Sequence, residues 1–215
     1  MGMMKIPFLV LMGGLGVGMY VHNQRDHSPT ADIEVISTLP IVEEHLTPYK
    51  ELIGSDYDGY RGHIYRVLSY TNHFMKGTDA DRDLVATALV YHDIGLWTKS
   101  VLNYLEPSFE EGKKKVEASY TPEQMQLFED IIMYHHKVTP FDGPNAKVVN
   151  AAMNGDWVDA TQGFVHSGLS KANIAKVEGA IANAGFHDTL AGFGPKLYGN
   201  NWWRIVTELG QIMRW

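Results

Sequence analysis

The chain has 215 residues, 45% of them hydrophobic and 20% charged, with no cysteine and a formal net charge of −7. Without cysteine there is no disulfide framework, no thiolate nucleophile and no zinc site built on Cys, and the acidic balance carries no electrostatic footprint for nucleic acid. Ten histidines remain as the pool of metal ligands and proton carriers.

At the N-terminus, Lys5 precedes an uncharged apolar run from Ile6 to Val21 that ends at His22. A positive residue ahead of a short apolar run is the layout of a secretory signal or signal anchor. Residues 1–22 are therefore read as an apolar leader or membrane anchor, with a membrane contact through residues 6–21. An exported or membrane-anchored location is favoured over a cytoplasmic one. Residues 23–33 are polar, carry Pro29 and read as a linker. Residues 34–215 are long enough to bury a core as one domain.

The periodicities of that domain are helical. Leu84, Val85, Ala88 and Leu89 recur at three- and four-residue spacings after the start signals Thr78 and Asp79. Thr121-Pro122-Glu123-Gln124 has a cap, a first-turn proline and a Gln three residues after the cap. Met125, Phe128, Ile131 and Ile132 continue it as a buried stripe. Val148, Val149, Ala152 and Met153 repeat the pattern, as do Ile174, Val177 and Ile181, and then Ile205, Val206, Leu209 and Ile212. Breaks are expected at Gly54–Gly62, Glu106–Gly112, Thr139–Pro144 and Gly185–Gly199, and no alternating run is long enough for a sheet. The fold class is all-α.

Three of these segments deliver ligand-type side chains from an apolar face. His63 shares a helical face with Val67, Tyr70 and Phe74, and His92 continues the face of Val85 and Leu89 with Asp93 beside it. Asp156 lies on the face of Val149 and Ala152; Asp159, one turn on, is a competitor for the same role, though its preferred reading is a solvated acid or one that supports the ligands. A buried carboxylate needs compensation, and a divalent cation supplies it, since imidazole and carboxylate are both ligands for transition metals. His135 and His136 follow Tyr134 at a helix end. Neighbours on a helix diverge by about 100°, so one of the two is expected to face the pocket.

The ordered set His63, His92-Asp93, Asp156 resembles the HD-domain superfamily of metal-dependent phosphohydrolases, over roughly Tyr60 to Thr161. His63-x-x-Arg66 is similar to the first motif of that family and His92-Asp93-Ile94-Gly95 to its most familiar one. The resemblance implies an HD-type helical bundle in which His63, His92, Asp93 and Asp156 bind one divalent ion (Mn, Fe, Co, Ni or Zn). It also implies hydrolysis of a small-molecule substrate, a nucleotide-like phosphoester, by a metal-activated water. Asp93 would double as proton acceptor, and Arg66, His135 and His136 would complete the catalytic set. Leu96-Trp97 stand where many phosphohydrolase members carry Lys or Arg, which leaves two alternatives open: an HD-type hydratase or lyase acting on a small neutral molecule, or a non-catalytic metal-stabilised module. Asn103-Tyr104-Leu105-Glu106-Pro107-Ser108 resembles part of an HD subgroup and otherwise reads as a loop where Pro107 ends a helix. Oligomeric state is left open.

Overall fold

The computed structural model describes residues 32–214, apart from Gly77 and Asp79. An extended stretch leads into α1 (Pro40–Leu46), α2 (Lys50–Ile53) and α3 (Tyr57–Phe74). There follow α4 (Arg82–Tyr91), α5 (Gly95–Thr98), α6 (Leu105–Val116), α7 (Pro122–Tyr134) and α8 (Ala146–Ala160). The chain closes with α9 (Lys171–Ala180), α10 (Phe186–Tyr198) and α11 (Trp202–Ile212), and the described residues contain no strand.

The organising helix is α3. Tyr60, Ile64, Tyr65, Val67 and Leu68 are all fully buried, so this helix is covered on most of its sides. Its largest partner is α8, and the two approach closely because α8 carries Gly155: a Cβ there would lie 2.5 Å from Thr71 Oγ1 and 2.9 Å from the Val67 carbonyl oxygen. The extended stretch before α1 is fastened to the same helix. Ile33 and Ile36 are buried, the Ile36 amide donates to Ser69 Oγ at 3.0 Å, and the Leu39 amide donates to the Tyr65 hydroxyl at 3.1 Å.

Helix starts follow the local chemistry. Thr121 and Gln124 form a reciprocal capping box at the head of α7. In α4 the cap is Asp81, whose carboxylate accepts from the Asp83 and Leu84 amides, two residues later than the expected start signals. Three expected breaks are helical instead: α3 runs through Gly59 and Gly62, α6 contains Pro107 in its first turn, and α10 continues through Pro195. The reasons are tertiary and positional. A Cβ at Gly62 would sit 2.5 Å from the Ala182 carbonyl oxygen, so this glycine serves a close contact, and proline is tolerated in a first turn, where its missing N–H costs no bond.

The expected anchor, the membrane contact through residues 6–21 and the exported or membrane-anchored location are corrected to what the described residues show. Among the described residues no helix is long and apolar enough to cross a membrane; even the 18-residue α3 carries Asp58, Arg61, His63, Arg66 and His73. The leader itself, residues 1–22, and most of the linker lie outside the described residues. Near the C-terminus, Trp202 and Trp203 are exposed.

Candidate metal centre

Three helices or helix ends converge on α3. His63 comes from α3, His92 and Asp93 from the turn that ends α4, His135 and His136 from the turn that ends α7, and Asp156 from α8. His63, His92, Asp93, His135 and Asp156 are at most 3% exposed. The motif turn is placed by Gly95, where a Cβ would meet the Tyr104 carbonyl oxygen at 2.5 Å, and by its amide, which donates to Ser108 Oγ at 2.9 Å.

His63 Nε2 and His92 Nε2 face one another at 3.0 Å. Asp93 Oδ2 lies 3.5 Å from the first and 3.4 Å from the second. Asp156 Oδ1 lies 3.5 Å and 3.6 Å from them. Donor atoms that share one cation at bonds of about 2.0–2.2 Å stand about 3.0–3.6 Å apart in tetrahedral or octahedral arrangement, so this set has the spacing a single ion requires.

The far nitrogens decide which atoms face inward. His63 Nδ1 is held by Asp159 Oδ2 at 2.6 Å, His92 Nδ1 by the Leu89 carbonyl at 2.6 Å, and His135 Nδ1 by the Ile132 carbonyl at 2.7 Å. A carboxylate or carbonyl can only accept, so each of these Nδ1 atoms bears the proton and each Nε2 turns a lone pair toward the carboxylates. Three lone-pair nitrogens and two carboxylates then share one dry space. Asp93 Oδ1, His135 Nε2 and Asp156 Oδ2 have no hydrogen-bond partner; such buried acceptors call for a positive charge.

The electrostatics show the same demand for positive charge, which protons on the rings meet when no cation is bound. Burial disfavours charge on His63, but Asp159 and Asp93 outweigh it and lift the ring to about 9. His135 is raised likewise: burial opposes, while Asp93 and Asp156 prevail. Asp93 is held well below the usual carboxylate range, its burial overcome by His92, His135 and His63. His136 goes the other way, lowered to about 3 by burial and then by His135, so its ring is neutral. The cluster attracts cations and fits a divalent ion.

Each residue singled out in the sequence now has a place. His63, His92, Asp93 and Asp156 come together. Both His135 and His136 reach the cluster, against the expectation that only one would: α7 ends at Tyr134, the rings stand 4.0 Å apart, and Asp93, His135 and His136 offer ligand atoms within 4.8 Å of one another. Arg66 lies behind the cluster. Its Nε donates to Asp159 Oδ1 at 2.5 Å, its Nη2 to Asp159 Oδ2 at 2.9 Å and its Nη1 to the Ala182 carbonyl at 2.8 Å. Asp159 thus takes Arg66 on one side and orients His63 on the other. Three further residues complete this wall. Phe186 stacks on the His63 ring at 4.1 Å, His187 Nε2 donates to the Asp159 carbonyl at 2.8 Å, and Tyr60 packs on Trp97 at 4.5 Å. They arrive by tertiary contact, with no local pattern to announce them.

Residues 60–160 match the family model described as HD domain. The chain carries an HD domain. No curated protein and no solved structure gives a match to it. The HD domain and its metal-capable cluster together are consistent with catalysis by a metal-dependent hydrolase.

Proposed function

We propose that this HD domain hydrolyses a phosphoester of nucleotide type, with His63, His92, Asp93 and Asp156 holding one divalent transition-metal ion. The observation that carries the reading is the convergence of two lone-pair imidazole nitrogens and two carboxylates at 3.0–3.6 Å, each histidine fixed from behind. Such an ion, when bound, lowers the pKa of a coordinated water and polarises the group under attack.

The chain's own residues do the rest. Asp93 Oδ1, buried and without a hydrogen-bond partner, receives the proton that the attacking water gives up. His135 and His136 stand on the far side of the two carboxylates, with Nε2 of the first 3.4 Å from Asp93 and Nδ1 of the second 3.6 Å from Asp156. There a ring that carries a proton on its inward nitrogen can donate to phosphoryl oxygens as charge develops on them. Arg66 acts through Asp159 as a positioning residue. Tyr60, Trp97 and Phe186 form an aromatic wall that excludes water.

One observation favours a second reading, hydration of a small neutral molecule. Arg66 is fully engaged by Asp159 and Ala182, and Lys99 borders an outer groove with Glu208, so neither cation is committed to a phosphate. Screening the metal-loaded protein against nucleotides, generic phosphoesters and small nitriles separates the two. Phosphate release that is lost in Asp93→Ala supports the first reading; turnover of nitriles alone replaces it with the second.

A further inference from the structure

We propose that Tyr104 makes His136 a hydrogen-bond donor to the site and keeps it out of the metal's ligand set. This rests on the metal-site reading above. His136 sits beside His135, and its ring lies within ligand distance of Asp93, so proximity alone would admit it as a ligand to an ion. Its hydrogen bonds say otherwise.

The other three histidines are held from behind by groups that only accept, which fixes Nδ1–H at the back and a lone pair in front. His136 is turned round: its Nδ1 lies 3.6 Å from Asp156 Oδ2, and its other nitrogen, Nε2, meets the Tyr104 hydroxyl. A tyrosine hydroxyl can donate. Imidazole nitrogen is a far better base than a phenol oxygen, so within this pair the favoured bond is Tyr104 O–H to His136 Nε2; Asp93 is the competing acceptor for the hydroxyl, and donation to it would leave the ring proton on Nε2. With the favoured bond made, the remaining proton of the neutral ring must sit on Nδ1, pointing inward. Accounting within the site reaches the same answer. Asp156 Oδ2 is a buried acceptor with no hydrogen-bond partner; Nδ1–H turns the positive end of a dipole toward it from 3.6 Å, whereas an Nδ1 lone pair would add one more unpaired acceptor beside it.

Tyr104 is held where this requires. It stands at the head of α6, where its carbonyl accepts from the Ser108 amide at 2.8 Å and Ser108 Oγ accepts from the Gly95 amide of the motif turn. The Asn103–Ser108 stretch therefore belongs to the site: it carries Tyr104 to the mouth. His136 is also the one member of the four-histidine group with side-chain exposure, 20% against 0% for His63, His92 and His135. An N–H at the mouth is placed to meet an incoming oxygen that the closed tetrad cannot reach.

The test is the tautomer itself, read by ¹⁵N shifts and one-bond N–H couplings of His136 in the zinc-loaded protein. The expected result is a protonated Nδ1 and a bare Nε2, with mixed or reversed protonation in Tyr104→Phe, which preserves the ring's packing. Two variants add an independent arm, because asparagine places its amide nitrogen near the position of Nδ1 and glutamine near that of Nε2. Zinc stoichiometry is expected to be unchanged in both His136→Asn and His136→Gln, with turnover at least tenfold higher in the asparagine variant. A wild-type Nε2–H tautomer, or loss of a zinc equivalent on changing His136, overturns the assignment. If no substrate is found, the hydrolase reading fails while the spectra and the zinc count still decide this one.

Discussion

Asp159 supports the site without facing it, and its removal tests how much of the centre depends on buried support. Its carboxylate balances the Arg66 guanidinium and orients His63, both in the interior. Asp159→Asn leaves Arg66 buried without a counter-charge, so unfolding free energy should fall by about 3–5 kcal/mol. Metal affinity should fall about 10–100-fold, as for other lost partners of metal-binding histidines. Urea unfolding and a metal titration measure the two; an affinity unchanged from wild type would remove Asp159 from the account. At this scale the sequence was informative wherever helical period and ligand chemistry coincide: His63, His92, Asp93 and Asp156 all sit on apolar stripes. It was silent where a side chain arrives from a distant turn. Phe186 stacks on His63 across more than a hundred residues, and Tyr104 reaches His136 only because α6 folds back on the motif turn.

Between elements, the decisive surface is α3 against α8, which brings His63 to Asp156. Gly155 sets their separation. Gly155→Ala should force α8 outward, destabilise the fold by about 1–3 kcal/mol and weaken metal binding by moving its neighbour Asp156; a variant that folds and binds as wild type would show that the close approach is dispensable. A second element-level prediction concerns α1, whose His45 Nδ1 meets the Tyr91 hydroxyl of α4 at 3.0 Å. Burial, opposed by Glu44, holds His45 below its ordinary 6.5. At pH 7 the ring is mostly neutral in both states; as pH falls toward and below 6.5 the unfolded chain takes up the proton first, so stability falls as pH drops through the folded value. Unfolding by urea at pH 7 and pH 5 should show that loss, and His45→Gln should show less of it. Local rules located most helices, with Thr121 and Gln124 the clearest case. They failed at Gly62, Pro107 and Pro195, where a glycine was taken for a break although it serves a contact, and a proline for a stop inside a helix that continues.

Over the whole molecule, the centre joins α3, α4, α7 and α8, so an ion bound there ties together helices far apart in sequence. An ion that binds the folded chain alone stabilises it by about 2.7 kcal/mol at a hundredfold excess over Kd, or a rise in Tm of about 5–11 °C for a domain of this size. Calorimetry with and without a chelator checks this, and identical curves would place the metal outside the folding energetics. The account as a whole stands on four side chains binding one cation, and elemental analysis of metal-replete, gel-filtered protein is its most direct test. Wild type should carry one equivalent of transition metal per chain, and Asp93→Ala, shown by circular dichroism to be folded, should carry almost none. Wild-type protein that emerges without metal, or an Asp93→Ala variant that keeps a full equivalent, would contradict it.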